Sequence, residues 1–473
     1  MIIISPDVNP ELYSAWIHPP VPIHLKVYLF NVTNSEEVQR GFRPKLLEVG
    51  PYVFRENRTK INIHHDEDTD TVTYKEHFTY HFEQQLSGDL KLQDEIIIIN
   101  TPYVAAAIKI NNELPWPMDS FANMILIQYK ESLFIRRTVE EILFKGWTVP
   151  FLQQIETDIG LTLVLNNTFG LLIGQNDSAQ GPYTVARGVS DKSQFGTILK
   201  YKNESELSYW PKSSQCNKIQ GSDGTIFSPF VEKRTVLKLF NSDLCRSLYL
   251  SYNQSIDFEG IKGYRFTVPP SVLADPRENN ENHCFCPNME HEPDKCLKKG
   301  TLDLGPCRDS APVAMSTPYF LDADPQYLEE SGLMPVRSEH ETFLDIEPMT
   351  GIIMQASKRI QINLILKRVK GIASISKVPE MLFPLIWMDE VGESMHMLLG
   401  IICTTIKLIV ITSTKASRKM IIEVSTSLDV ENRLKLQSIL YNVRLLDFIS
   451  KMIPIATLLV VLSIVVKRKF SRT

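Results

Sequence analysis

The chain has 473 residues, of which 43% are apolar and 22% are charged. That composition excludes a largely disordered protein and is compatible with one large domain or two fused ones. Its 50 basic and 55 acidic side chains give a formal net charge of -5, so no general attraction for polyanions is expected and nucleic acid is excluded as a partner.

The N-terminus offers only a short apolar stub, Ile2 to Ile4, before Ser5 and Pro6. This is neither a signal peptide nor a membrane span. We therefore expect the chain to be truncated at its start. The alternative is insertion by a C-terminal anchor alone, which would leave the large part of the chain in the cytosol.

Six Asn-x-Ser/Thr sequons indicate an extracytoplasmic segment rather than a cytosolic surface with chance sequons. All six lie before the cysteine-rich region ends, and none lies near the C-terminus. The predicted N-glycosylation sites are Asn31, Asn57, Asn166, Asn176, Asn203 and Asn253.

Short segments that alternate apolar and polar residues, separated by many of the 28 prolines and 21 glycines, predict an antiparallel β core. Two examples are Phe78, Tyr80 and Phe82 alternating with His77, Thr79 and His81, and Ile360, Ile362, Leu364 and Leu366 alternating with Arg359, Gln361 and Asn363. On such a strand, His77 and His81 would stand about 13 Å apart, too far to share a metal ion.

Helical character is concentrated in residues 118–147, where Thr138 and Glu141 form a capping box. Lys130, Arg136 and Arg137 would form a basic patch on this helical segment. The patch could attract an anionic particle or a fatty-acid carboxylate, or it could be a solvated helix face.

Six of the seven cysteines fall within residues 216–307, which favours disulfides in an oxidising compartment. A zinc site using Cys284, Cys286, Cys296, His283 and His291 is the competing interpretation. In an extended chain Cys284 and Cys286 would point to opposite faces and bond different partners, and the spacing of Cys286 and Cys296 suits a local hairpin staple.

Common nucleophile, zinc-protease, nucleotide and dinucleotide motifs are not found, so we expect no enzyme and no cofactor. Residues 452–466 form an uncharged, largely apolar run that is followed by Lys467, Arg468 and Lys469. We predict a transmembrane helix over residues 447–466 and a cytosolic tail over residues 467–473, with a buried soluble helix as the alternative.

The order of several short motifs resembles the class B scavenger receptors, which include the fatty-acid translocase, the lysosomal integral membrane proteins and the insect sensory neuron membrane proteins. The motifs occupy residues 16–23, 29–34, 48–52, 216–217, 221–224, 345–348, 356–363 and 384–389, together with the cysteine cluster. They extend over most of residues 16–390.

The resemblance implies an α+β fold, in which a large ectodomain over residues 1–446 has an antiparallel β-barrel core traversed by an apolar tunnel. An apical helical bundle and two membrane spans would complete it. It also implies disulfides Cys216–Cys284, Cys245–Cys307 and Cys286–Cys296, and Lys130, Arg136 and Arg137 as ligand contacts on the apical helices.

Two departures from the family pattern affect these expectations. The first membrane span of the family is missing, in agreement with a truncated start. Residues 391–425 depart from the pattern and contain Cys403, which would be unpaired. A retained intron, a splice variant or an extra membrane segment would each produce such an insert, and Lys407 argues against the last.

The implied function is a cell-surface receptor that binds fatty acids, sterols, carotenoids or lipoprotein particles and transfers lipid through the tunnel to the membrane. An adhesion or pathogen-recognition receptor without lipid transfer is the alternative, and a luminal hydrolase is a third. The tail shows no lysosomal sorting signal, so the plasma membrane is favoured over endosomal or lysosomal membranes. The sequence determines neither the ligand nor the oligomeric state.

Overall fold

A computed structural model describes residues 4–393, apart from residues 6, 8–9, 20, 115–116, 161–166, 213 and 259. The predicted membrane segment 447–466, the tail 467–473, Cys403 and most of the atypical segment 391–425 lie outside the described residues, as does Asn166. Within the described ranges, no helix is both long and apolar enough to cross a membrane.

Seventeen strands are found in the described part of the chain. They are β1 (Ile23–Val32), β2 (Leu46–Asp66), β3 (Thr71–Phe82), β4 (Glu95–Ile99), β5 (Phe134–Thr138), β6 (Trp147–Thr148), β7 (Thr168–Phe169), β8 (Ser178–Ala186), β9 (Ile198–Tyr201), β10 (Leu237–Asn241), β11 (Arg246–Phe258), β12 (Ile261–Thr267), β13 (Thr301–Asp303), β14 (Val313–Ser316), β15 (Phe343–Glu347), β16 (Ile352–Leu366) and β17 (Met381–Glu393).

The helices are short and lie between the strands. They are α1 (Pro10–Ile17), α2 (Ser35–Gln39), α3 (Thr101–Glu113), α4 (Met118–Gln128), a π-helix (Glu141–Lys145), α5 (Pro150–Ile159), α6 (Pro325–Ser331) and α7 (Arg337–His340). Single turns of 3₁₀ helix connect several of the remaining segments.

Thirteen strands form one sheet, whose main path runs β10-β11-β12-β15-β16-β17-β1-β2-β3-β8-β9. β1 lies between β2 and β17 and pairs antiparallel with both, so that Ile23 is opposite Gly392 on one side and opposite Glu56 on the other. The predicted antiparallel β core is therefore confirmed.

A short connecting segment, residues 221–224, joins the two ends of this path and makes the sheet nearly closed and barrel-like. The Ile198 amide of β9 donates to the Gly221 carbonyl (2.8 Å), and the Phe240 amide of β10 donates to the Ser222 carbonyl (2.9 Å). Gly221 has φ +89°, and a Cβ at this position would collide with the Lys238 carbonyl. Only glycine fits there without distortion.

The alternating pattern on β16 correctly predicts a strand but not its burial. Gln361 and Asn363 are fully buried, and β14 pairs with this part of β16 so that Ser316 is opposite Gln361 and Ala314 is opposite Asn363. Gln361 Oε1 accepts the Tyr319 amide (2.8 Å), and Asn363 Nδ2 donates to Ser316 Oγ (3.0 Å). Both amides are therefore satisfied by hydrogen bonds, as buried polar groups must be.

The helical prediction for residues 118–147 is right for α4 and wrong for β5. β5 pairs antiparallel with β4, so that Ile98 is opposite Ile135. The Thr138–Glu141 capping box forms: the Thr138 amide donates to Glu141 Oε2 (3.0 Å) and the Glu141 amide to Thr138 Oγ1 (3.3 Å). It precedes a single π-helical turn that ends before Gly146.

By internal packing the chain divides into two units. The main unit contains residues 2–254 and 264–393, and all sites discussed below lie in it. The described residues of the other unit are those of the hairpin tip 255–263, where Lys262 Nζ lies 2.6 Å from Asp257 Oδ2.

Candidate functional site

One face of β2 is buried and changes from apolar to ionic along the strand. Phe54, Glu56 and Lys60 are at most 5% exposed, whereas Arg55 is exposed. Because strand residues alternate between faces, these three residues and Arg58 share one side of the sheet. We call this side the inner face.

Aromatic rings form the apolar end of the inner face. The Phe54 ring centroid lies 5.5 Å from that of Phe82 on β3 and 5.1 Å from that of Phe144 in the π-helix. Tyr80 stacks on Phe144 at 5.4 Å. The same core cluster includes Val27, Leu29, Ile386, Met388, and buried side chains of α3 and α5. This apolar wall therefore continues from the helical segment into the sheet.

The first ionic cluster on the inner face joins β2 to β17 and β16. Arg58 Nη2 lies 2.6 Å from Glu56 Oε1 and 2.8 Å from Glu390 Oε1. Lys358 Nζ lies 3.0 Å from Glu390 Oε2. Each carboxylate here contacts at least one cation, which offsets much of the cost of removing these charges from water.

The two carboxylates of this cluster have opposite pKa shifts. Burial raises the pKa of Glu56, because the single guanidinium beside it does not compensate for lost hydration. Burial would also raise the pKa of Glu390, but Lys358 and Arg58 outweigh it and lower that pKa to about 2. Glu390 is the carboxylate that contacts both cations, Arg58 and Lys358.

The second ionic cluster is centred on Lys60. Its Nζ lies 3.3 Å from Glu76 Oε1 on β3 and 3.6 Å from Asp223 Oδ2 in the connecting segment. The ammonium also lies over the rings of Trp16 (5.3 Å) and Tyr74 (5.2 Å). Burial would raise the pKa of Asp223, but Lys60 and the Thr225 hydrogen bonds lower it overall. One buried ammonium thus forms ion pairs with two carboxylates.

The basic residues predicted as ligand contacts do not lie on a helix, so the predicted helical placement was wrong, while their role as ligand contacts stays a prediction. Lys130 is exposed in the turn after α4, whereas Arg136 and Arg137 are neighbours on β5 and point to opposite faces. Exposed Arg136 pairs with Glu95 (3.4 Å). Arg137 lies 5.6 Å from the Trp147 ring centroid, and its Nε is buried without an acceptor in the described part of the chain.

The cysteine-rich segment contains three disulfides, in the pairing that the resemblance implies: Cys216–Cys284, Cys245–Cys307 and Cys286–Cys296. They surround a small core in which Trp210 packs edge-on against Phe285 at 5.0 Å. The expected hairpin is wrong: residues 286–296 contain turns and one 3₁₀ turn but no strand.

Comparison with known proteins assigns the family. The CD36 family model matches residues 2–423. The chain belongs to the CD36 family, the class B scavenger receptors. It is 36% identical to scavenger receptor class B member 1 of Mus musculus over 387 residues, covering 82% of this chain and 74% of that protein. It is 33% identical to lysosome membrane protein 2 of Homo sapiens over 388 residues, covering 80% and 77%.

Three of the motifs that resemble the CD36 family contribute to the inner face and its closure. Residues 221–224 form the connecting segment, which contains Asp223, and residues 356–363 contain Lys358. Residues 384–389 place Ile386 and Met388 on β17 immediately before Glu390. The family motifs therefore coincide with the site described here.

Sequence reasoning missed the charged residues of the inner face. Glu56, Arg58 and Lys60 alternate with Asn57 and Thr59, so both faces of β2 are polar and neither is marked as buried. One signal was present: β2 and β3 form a hairpin in which Lys60 is directly opposite Glu76. Opposite charges paired across a hairpin are compatible with a buried position.

Proposed function

We propose that this chain is a membrane-anchored, cell-surface scavenger-type receptor that binds lipids or lipoprotein particles and transfers lipid along the inner face to the membrane. The observation that carries the proposal is the apolar wall that continues from the helical segment into the sheet, around Phe54 and Phe144. Membership of the CD36 family supports a receptor, and no covalent chemistry is required.

The driving force is the transfer of apolar groups out of water, which contributes about 0.8 kcal/mol for each buried methylene. A long acyl chain, a sterol or a carotenoid would gain several such increments on an apolar wall. Exposed Lys130 and Arg136, together with Arg137, are proposed as contacts for anionic ligand groups at the helical segment. The plasma membrane is the proposed location, with endosomal or lysosomal membranes as the alternative.

One observation favours the alternative function, an adhesion or pathogen-recognition receptor without lipid transfer. The ionic clusters around Arg58 and Lys60 occupy the inner face beyond its aromatic end. A lipid chain that moved along this face would have to pass paired charges. Lipid binding at the aromatic end and lipid passage are therefore separate questions.

The test is mass spectrometry of lipids extracted from residues 2–446, secreted behind an added signal sequence and purified without detergent. Bound sterol, carotenoid or acyl lipid at about one molecule per chain supports the proposal and identifies the ligand class. A folded, lipid-free protein would shift the conclusion to surface recognition without transfer.

A pair of variants locates the bound lipid. Met388→Trp adds bulk to the inner face, where Met388 packs partly buried against the apolar core, and we expect it to reduce the bound lipid at least severalfold. Leu47→Trp makes a comparable change at an exposed position of β2, where Leu47 is 55% exposed, and should leave the lipid content unchanged. Equal lipid content in both variants would contradict binding at the inner face.

A further inference from the structure

A separate cavity of about 40 Å³ lies in the cysteine-rich segment. Arg246, Phe285, Asp303 and the Cys286–Cys296 disulfide contribute to its lining. This volume holds about three water molecules, which is also the scale of a small oxyanion. None of these residues belongs to the inner face of the sheet or to its ionic clusters.

Arg246, at the first position of β11, is the unusual residue of this cavity. It is only 6% exposed, and its guanidinium lies 3.7 Å from the centroid of the Phe285 ring. Its Nε donates to the Ser247 carbonyl (3.2 Å), which fixes the plane of the group. In the described part of the chain, neither Nη atom donates a hydrogen bond and no carboxylate lies within ion-pair distance.

Three other arginines of low exposure have a carboxylate partner, whereas Arg187, which is 7% exposed, donates from its Nε to the Ile4 carbonyl (3.3 Å). Arg58 pairs with Glu56, Arg265 with Asp345 (2.6 Å), and Arg359 with Asp389 (3.1 Å). A buried guanidinium without an anion is energetically costly, since it loses hydration without electrostatic compensation. Arg246 lacks the carboxylate partner that Arg58, Arg265 and Arg359 have.

The charge of Arg246 remains at neutral pH. Burial lowers its pKa to about 9, which still leaves the guanidinium protonated. Asp303 lines the same cavity but does not neutralise it, because its Oδ1 accepts the Gly305 amide (2.8 Å) and no ion pair joins it to Arg246 in the described residues. Burial raises the pKa of Asp303. The cavity thus combines a fixed cation with unfilled hydrogen-bond donors.

We infer that this cavity is a binding site for a small oxyanion, a carboxylate or phosphate group, held by the two Nη atoms of Arg246. A planar guanidinium matches the paired oxygens of such groups and forms two parallel, charge-assisted hydrogen bonds with them. The site lies among the disulfides and is independent of lipid transfer at the inner face.

The test is equilibrium dialysis of radiolabelled inorganic phosphate against the full chain, purified in an uncharged detergent. We expect one saturable site per chain. Arg246→Met keeps an apolar side chain against Phe285 and should weaken binding about tenfold or more. Arg234→Met is the matched control: Arg234 also carries one positive charge, but its side chain is 87% exposed. Phosphate binding should be unchanged in this variant.

A second arm distinguishes the source of the oxyanion. Octyl phosphate that displaces labelled phosphate at lower concentration than phosphate itself would assign the site to a lipid headgroup. Displacement only by phosphate would assign it to a free anion.

Non-reducing peptide mapping should show all three disulfides in Arg246→Met. If this variant does not fold, phosphate binding to the unmodified chain still tests the inference. Absence of saturable phosphate binding at millimolar concentration overturns the inference, as does an equal loss of binding in Arg234→Met.

Discussion

At the scale of single residues, the interior of this receptor depends on charges that are buried in pairs. The Lys60 side chain is 1% exposed and lies between Glu76 and Asp223, so its removal would leave two carboxylates in a poorly hydrated environment. Such a deletion costs more than the pair contributes, because the remaining charge keeps its desolvation penalty.

Lys60→Met therefore provides a stability test. We expect it to lower the free energy of unfolding by about 3 to 5 kcal/mol. Lys45→Met, which removes a 71% exposed ammonium 3.5 Å from Glu37, should change it by less than about 1 kcal/mol. Denaturant unfolding of both variants measures the difference. Similar values for the two would show that the Lys60 cluster contributes no more than a surface ion pair.

Sequence alone does not identify these buried charges, for a physical reason. Hydrophobic periodicity marks a buried face only when the other face is polar, and β2 presents polar residues on both. On β16 the apolar and polar residues do alternate, and this pattern placed Gln361 and Asn363 on an exposed polar face that is in fact buried. Both side chains hydrogen-bond to residues 316–319, which are distant in sequence.

At the scale of elements, sheet closure depends on one glycine. Gly221 and Gly224 both have positive φ, +89° and +85°. At Gly224, however, a Cβ would meet only the Leu239 side chain, at 3.4 Å. Alanine substitutions at the two glycines can therefore distinguish the cost of backbone strain from the cost of a steric collision.

We predict that Gly221→Ala is secreted at a much lower level than Gly224→Ala. Both substitutions carry the strain of a positive φ, about 1 to 2 kcal/mol, but only Gly221→Ala also collides with the backbone of β10. The measurement is the amount of soluble, disulfide-bonded protein in the culture medium. Equal secretion would mean that the connecting segment does not determine closure.

The misassigned element, β5, shows why local patterns were insufficient. Residues 118–147 begin as a helix and contain a true capping box, so a helical interpretation fits both ends. β5 itself is defined by its partner β4, in which Ile96, Ile98 and Ile99 are buried. Pairing between segments far apart in sequence overrides local helix propensity.

At the scale of the whole molecule, the antiparallel core and the family could be predicted because ordered motifs extend over most of the chain. The buried charged residues of the inner face could not be predicted, since their burial depends on which faces of the strands pack together. The three disulfide pairs were implied by the resemblance, whereas residue spacing alone left several pairings open.

Glycan mapping tests the proposed extracytoplasmic placement of the main unit. Asn57, Asn176, Asn203 and Asn253 are exposed and should carry glycans after expression through the secretory pathway. Asn31 is half-buried, and its Oδ1 accepts the Ile97 amide (2.9 Å), so its occupancy should be the lowest of these five. Glycopeptide mass spectrometry measures each site. An absence of glycans at all four exposed sites would contradict this placement.

The position of β1 between β2 and β17 has a consequence for biosynthesis. Ile23 can reach its partner Gly392 only after residue 392 has left the ribosome. At about 5 to 20 residues per second, that interval is about 20 to 70 s. Throughout it, one edge of β1 remains unpaired, and such an edge is a target for aggregation. Folding of this receptor therefore depends on protection of its first strand until β17 has been synthesised.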